Sequence, residues 1–275
     1  MRFNSGMNIK FYPTTQYTPS FSSKSPEVRK ADDLQRKTRT AFPFFSPSYA
    51  DGYYSSCSSF YQAPNSKKAV EHWDNMDRLD KASRKMALIR EERRQALEGR
   101  YNFSAKFTET VKDVQKYRLA NCEEAATMVL ATLLANGYSD SFKCSLKLIT
   151  SIYEKGAKES KFSLRDSLDH ACVITKSPKD KKYIILDSWY GFADSMSGAK
   201  GRYKQLYDEK KLQKSKQKAI NQFTNFYENK YKNFDINNFE IRQHIDFDIK
   251  EMPGKQDHSK LQQIFSEKYP ELITE

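Results

Sequence analysis

The chain has 275 residues, with 47 Lys and Arg against 35 Asp and Glu and a formal net charge of +12. That length holds one sizeable domain with tails, and the basic balance favours acidic surfaces or polyanions at low salt without fixing a partner. Four cysteines, Cys57, Cys122, Cys144 and Cys172, have neither metal-ligand spacing nor the density of a disulfide scaffold, so they are read as reduced thiols, and no metal or cofactor is called for.

In chain order, Met1 to Gly6 lacks the apolar core of a cleaved signal peptide. The longest apolar run, Thr127 to Ala135, is too short to span a bilayer. Both observations predict a chain made in soluble form that, if it leaves its cell, uses a route reading no such signal. Residues 1–66 hold six of the nine prolines and twelve serines, with isolated Phe and Tyr and no periodic apolar face. They are predicted to be a disordered tail ahead of a folded domain at 67–275.

From Lys67 to Gly99, Asp74 with Arg78, Asp77 with Lys81 and Asp80 with Arg84 stand at i,i+4 spacing. Val70, Trp73, Met76, Leu79, Met86 and Ile89 form one apolar stripe. This reads as a long amphipathic helix whose stripe faces the core, with Gly99 as its stop. Phe107, Val111, Val114 and Arg118 mark a second helix. Asn121-Cys122-Glu123-Glu124 opens a third, apolar on most sides and stopping at Asn136-Gly137, as expected of a buried central helix.

Phe142, Cys144, Leu146 and Leu148 alternate as a strand. Ala171 to Thr175 and Tyr183 to Leu186 flank a turn at Ser177-Pro178-Lys179-Asp180. If that hairpin turns between Pro178 and Lys179, His170 stands directly opposite Asp187, with Cys172 opposite Ile185. A Lys-rich helical stretch around Lys204 to Tyr231, strand patterns at Phe239 to Ile249 and a short end helix complete an α+β order.

Taken singly, Cys122 and His170 each have an ordinary reading. A free cysteine at a helix start packs like a small hydrophobe, and a histidine in an apolar strand is commonly structural. Their setting argues for chemistry. A helix N-terminus presents unpaired N–H groups and a positive dipole end, which stabilise a thiolate. His170 paired with Asp187 on the facing sheet supplies an oriented acid and base. Cys122 is therefore the candidate nucleophile, His170 the proton carrier and Asp187 the orienting carboxylate, with Asp194 and Asp166 as substitutes. The backbone N–H of Cys122 is the natural first oxyanion donor, Gln115 or Asn121 a candidate second, and Trp189 a candidate substrate contact.

At Asn121-Cys122-Glu123-Glu124-Ala125, Asp169-His170-Ala171-Cys172-Val173 and Asp187-Ser188-Trp189 the sequence resembles the papain-like cysteine deamidases and proteases of bacterial toxins and secreted effectors. The resemblance covers about Arg118 to Phe192. It departs from the family at Ala120, Lys116 and Ser188, where the family often has Gly, the oxyanion Gln and Pro. It implies a papain-like or transglutaminase-like core, a central helix carrying the cysteine on an antiparallel sheet. It also implies thiol chemistry on a carbonyl flanked by nitrogen in a host protein: glutamine deamidation first, peptide cleavage or transglutamination as alternatives. A bacterial effector made in the cytoplasm, delivered into a host cell and acting as a monomer is the expected setting, with Ser20 to Ser25 and Ser55 to Ser59 suiting a needle-type secretion signal.

Two readings of another class stay open. In one, the basic stretch 200–218 (Lys200, Arg202, Lys204, Lys210, Lys211, Lys214, Lys216, Lys218) binds an acidic surface, anionic lipid or nucleic acid, with no specific nucleic acid expected. A solvated helix face explains those charges more simply. In the other, the thiol-hydrolase fold is catalytically dead and serves for binding.

Overall fold

The computed structural model describes residues 24–44, 46, 76–99, 102–206, 209–230 and 235–274. Among these the helices are α1 (Pro26–Ala41), α2 (Met76–Ala96), α3 (Phe103–Tyr117), α4 (Cys122–Ala135), α5 (Met196–Leu206), α6 (Glu209–Glu228) and α7 (Lys255–Lys268). The strands are β1 (Ser141–Glu154), β2 (Ser160–Lys176), β3 (Tyr183–Asp187), β4 (Phe192–Ser195) and β5 (Phe239–Glu251). They form one open antiparallel sheet in the order β4-β3-β2-β1-β5. The class is α+β, as the element order predicts. No helix among the described residues is long and apolar enough to cross a membrane.

Helix α4 organises the fold. It starts after Asn121, whose extended backbone is the usual conformation of an N-cap. It ends in a Schellman turn: Tyr138 N–H donates to Leu133 O at 3.0 Å, Gly137 N–H donates to Leu134 O at 3.1 Å, and Gly137 sits at φ 80°. Between those ends every residue from Glu124 to Ala135 is buried, because α1, α3 and α7 cover one side and β1 and β2 the other. On β1 the even-numbered Cys144, Leu146, Leu148, Thr150 and Ile152 are all buried. The first three join the main core. Ile152 joins a second, smaller core with Ala219 and Phe223 of α6.

The predicted disordered tail needs correction. Residues 26–41 are a helix, started by Ser25 as N-cap and Pro26 in the first turn, and it packs on α4, β3 and β4. Val28, Ala31, Leu34, Phe42 and Phe44 are core residues. Thr38 Oγ1 donates to Thr132 Oγ1 of α4 at 2.9 Å, and Phe42 meets Tyr269 edge-on at 5.0 Å. The thin apolar repeat Val28, Ala31, Leu34 was overridden by the Ser and Pro around it, yet Ser25-Pro26-Glu27 is a helix start. The remaining tail residues, 1–23, 45 and 47–66, lie outside the described residues, and so do Val70 and Trp73 of the predicted stripe. Of that stripe, Met86 and Ile89 are buried, as expected.

Helix α2 is tied to the start of α4 by charge. Glu124, fully buried, accepts from Arg90 Nε at 2.9 Å and Nη2 at 2.7 Å, and from Arg93 Nη1 at 3.3 Å. Arg93 also reaches Asp113 at 2.8 Å and Thr110 at 3.2 Å on α3. Removing one partner of a buried ion pair costs more than the pair itself gains, so Glu124→Ala, which takes the carboxylate from Arg90 and leaves Arg93 only Asp113 and Thr110, is expected to destabilise the protein by about 1–3 kcal/mol. Denaturant unfolding of the two proteins at pH 7 checks this; an unchanged midpoint would refute it.

The predicted hairpin is present with a shifted register. Thr175 faces Ile184, Ile174 faces Ile185 and Val173 faces Leu186, so the turn is centred one residue later than predicted and every partner moves by two. The turn closes through Ser177 N–H to Lys182 O at 2.8 Å, with Lys181 at φ 58°. A shift of two preserves which face each side chain occupies. His170 is thus diagonal to Asp187 rather than directly opposite it.

Candidate active site

His170 lies in an irregularity of β2. Ser145 of β1 faces Ala171 and the next residue, Leu146, faces Leu168, so Asp169 and His170 are left unpaired in a bulge. Bulges of this kind re-aim side chains beside functional sites. Here the bulge, beyond the last β2–β3 pair, lets the imidazole reach across to the end of β3, where Nε2 and Asp187 Oδ2 are 2.5 Å apart. Both groups are buried, at 4% and 0% exposure.

Asp187 accepts from four donors. Oδ1 takes the backbone N–H groups of Trp189 at 3.0 Å and Tyr190 at 2.9 Å, and Oδ2 takes Tyr203 Oη–H at 2.6 Å beside the imidazole. Asp187 therefore has fixed orientation and satisfied lone pairs, which is what allows a carboxylate to stay buried. Tyr203, on α5 and wholly buried, is held well above the usual phenol range by burial and by the charge of Asp187, so it remains a neutral donor. Sequence reasoning missed it. Its ring and those of Trp189 and Tyr190 surround His170, with centroids 5.8, 5.2 and 4.8 Å away.

With Nε2 on Asp187, the other ring nitrogen, Nδ1, is buried and has no hydrogen-bond partner. Cys122 is the group that acts on the ring from the α4 side. Burial alone would lower the His170 pKa, but the charge and hydrogen bond of Asp187, then the Cys122 sulfur, outweigh it and raise the pKa to about 10. No hydrogen bond of normal geometry closes on Nδ1. Protonated, the ring would present at Nδ1 an N–H able to serve as a general acid.

A folded-state pKa above the unfolded value, about 6.5, gives a definite sign. Protonated His170 contributes stability that is fully present below about pH 6.5 and is lost as pH rises through about 10. Denaturant midpoints for the wild type are expected to fall between pH 7 and 10 more steeply than those of His170→Ala. Parallel curves would contradict the assignment.

Cys122 is the first helical residue of α4 and is partly exposed. The other described cysteines, Cys144 and Cys172, are free but buried, and burial pushes the Cys144 thiol up to about 12 and the Cys172 thiol well above its ordinary value. Both are poor nucleophiles. Cys57 lies outside the described residues. Beside Cys122, Glu123 pairs with Lys106 at 3.1 Å and Lys143 at 2.5 Å, and both lysines also pair with Glu251, which braces the first turn of α4 against β1 and β5.

Several predicted residues fall elsewhere. Gln115 is exposed on α3, and no hydrogen bond ties it to the site among the described residues, so it is corrected to a surface residue. Trp189 is 94% buried, packs on His170 and donates from Nε1 to Ser46 Oγ at 2.8 Å, which makes it a wall of the site rather than an open substrate contact. Asn121 sits beside Cys122, its Oδ1 accepting from Ser46 Oγ–H at 2.7 Å. Asp194 pairs with Arg202 at 2.7 Å, and Asp166 with Ser215 at 2.6 Å and Lys218 at 2.8 Å, so neither replaces Asp187. In the basic stretch, Lys200 pairs with Asp246 at 3.2 Å, so at least this charge and those of Arg202 and Lys218 are compensated among the described residues.

Among the described residues no group of three or more His, Cys, Asp and Glu side chains is placed to hold a metal ion. What stands together is a thiol at a helix start, an imidazole and a buried carboxylate, a set able to form and hydrolyse a thioester. The chain matches no protein-family model, no curated protein and no solved structure.

Proposed function

We propose that this protein is a thiol hydrolase with a papain-like core, acting on a partner protein through Cys122, His170 and Asp187, and that its preferred reaction is deamidation of a glutamine side chain. The observation that carries the reading is the buried His170–Asp187 pair, whose remaining nitrogen, Nδ1, has no partner while Cys122 acts on the ring. A buried structural histidine is ordinarily hydrogen-bonded through both nitrogens.

The chemistry follows from the atoms. The thiol proton of Cys122 passes to His170, Sγ attacks the side-chain amide carbon, and the carbonyl π pair moves onto oxygen. As the tetrahedral species collapses, His170 gives its proton to the nitrogen and ammonia leaves. Water, deprotonated by the now neutral His170, then hydrolyses the thioester to glutamate and restores the thiol. Peptide cleavage shares every step. The preference for a side chain rests on the resemblance and on topology: β2, which carries His170, is the central strand, whereas a protease commonly binds extended backbone by adding it to a sheet edge. Delivery into a host cell belongs to the same proposal, supported by the resemblance alone.

Peptide mapping of a host-cell lysate exposed to wild type or Cys122→Ala tests it. The expected result is a glutamine-to-glutamate conversion in an uncut protein, lost in Cys122→Ala and His170→Ala. New N-termini that depend on Cys122 would replace deamidation by proteolysis.

A further inference from the structure

We infer that the side-chain amide of Asn121 is the second donor to the oxyanion, beside the backbone N–H of Cys122, and that Ser46 is the positioning residue that turns it that way. This rests on the thiol-hydrolase reading and completes its charge-stabilising half.

The inference comes from the direction of a buried relay. An indole N–H can only donate, so Ser46 Oγ must accept from Trp189 Nε1 at 2.8 Å. The single hydroxyl proton of Ser46 then goes to Asn121 Oδ1 at 2.7 Å. Ser46 is 2% and Trp189 6% exposed, so water does not compete for these bonds. Oδ1 is thus the end of the Asn121 carboxamide that faces Ser46. The NH2 end is directed away from Ser46, and no hydrogen bond among the described residues involves it. Asn121 is itself partly exposed, so a substrate can reach that end.

The backbone carrying this amide is fixed as well. Asn121 N–H donates to Glu124 Oε2 at 3.1 Å, and Glu124 is gripped by Arg90 and Arg93. Cys122 N–H has no acceptor within its helix, since the first intrahelical bond runs from Ala125 N–H to Asn121 O at 3.0 Å. Two N–H donors thus belong to adjacent residues at the start of α4, one of them the residue that carries the attacking sulfur. As Sγ bonds to carbon and the π pair moves onto oxygen, that oxygen takes both.

Two reagents on the full-length protein separate this from a general effect on the nucleophile. Iodoacetamide alkylates sulfur by displacement and forms no oxyanion; p-nitrophenyl acetate acylates it through one. The readout is the ratio of the acylation to the alkylation rate constant at Cys122. Asn121→Asp retains an N-cap of equal quality and the oxygen that Ser46 needs but has no N–H to give. The ratio is expected to fall by about 10²–10³ in Asn121→Asp and Asn121→Ala, and by a smaller factor in Ser46→Ala. An unchanged ratio in both Asn121 variants overturns the inference while leaving the thiol-hydrolase reading intact. A fall in those variants with none in Ser46→Ala removes Ser46 from it. A wild-type Cys122 inert to both reagents overturns the reading itself, and this inference with it.

Discussion

Replacing Asp187 by asparagine is expected to leave the fold intact and to lower the rate of acyl transfer at Cys122 by about 10⁴, the scale seen when a triad carboxylate becomes an amide. The Oδ1 side can keep the backbone donors Trp189 and Tyr190. On the other side an NH2 group would then face His170 Nε2 and the Tyr203 hydroxyl, where Oδ2 now accepts from both. His170 would have to turn a lone pair towards that NH2, placing its only proton on Nδ1. The ring could then neither accept a proton from the thiol side nor be stabilised as imidazolium. Asp194→Asn and Asp166→Asn, whose partners lie outside the site, are expected to retain the rate. Stopped-flow acylation of the three variants by p-nitrophenyl acetate checks the contrast; wild-type kinetics in Asp187→Asn would remove it from the site.

Deleting residues 1–66 is expected to abolish cooperative folding. Val28, Leu34, Phe42 and Phe44 are each at least 94% buried in the main core. At about 1.5–3 kcal/mol for each large apolar side chain, those four contribute roughly 6–12 kcal/mol, comparable to the whole stability of an ordinary domain. The deletion also removes Ser46, which links Asn121 to Trp189. A chain starting at residue 67 should show no thermal transition by circular dichroism, whereas one starting at residue 24 retains α1. A transition at the full-length Tm in the shorter chain would contradict the placement of α1.

What was legible in the sequence was local. The ends of α4 could be read from Asn121 and from Asn136-Gly137, because caps are set by residues within one turn. The hairpin and the face shared by His170 and Asp187 could be read from alternation. The exact register could not, since the turn is centred between Lys179 and Asp180, one residue later than Pro178-Lys179 indicated. The bulge at Asp169-His170 left no mark in the pattern, because two extra residues preserve the alternation on both sides.

The parts missed were joined through space. Tyr203 meets Asp187 from 16 residues away, Arg90 meets Glu124 from 34, and Ser46 meets Trp189 from 143. A serine amid prolines and a tyrosine in a basic helix carry no local sign of such partners. For α1 the sign was present at Ser25-Pro26-Glu27 and was masked by the composition of its surroundings.

The most direct measurement is the rate of alkylation of each cysteine by limiting iodoacetamide at pH 7, resolved by peptide mapping. The account predicts that Cys122 reacts much faster than Cys144 and Cys172 and that His170→Ala slows Cys122 while leaving Cys57 unchanged. A Cys122 no faster than the buried thiols, or one indifferent to His170→Ala, would contradict the pairing of thiol and imidazole on which the proposed reaction depends.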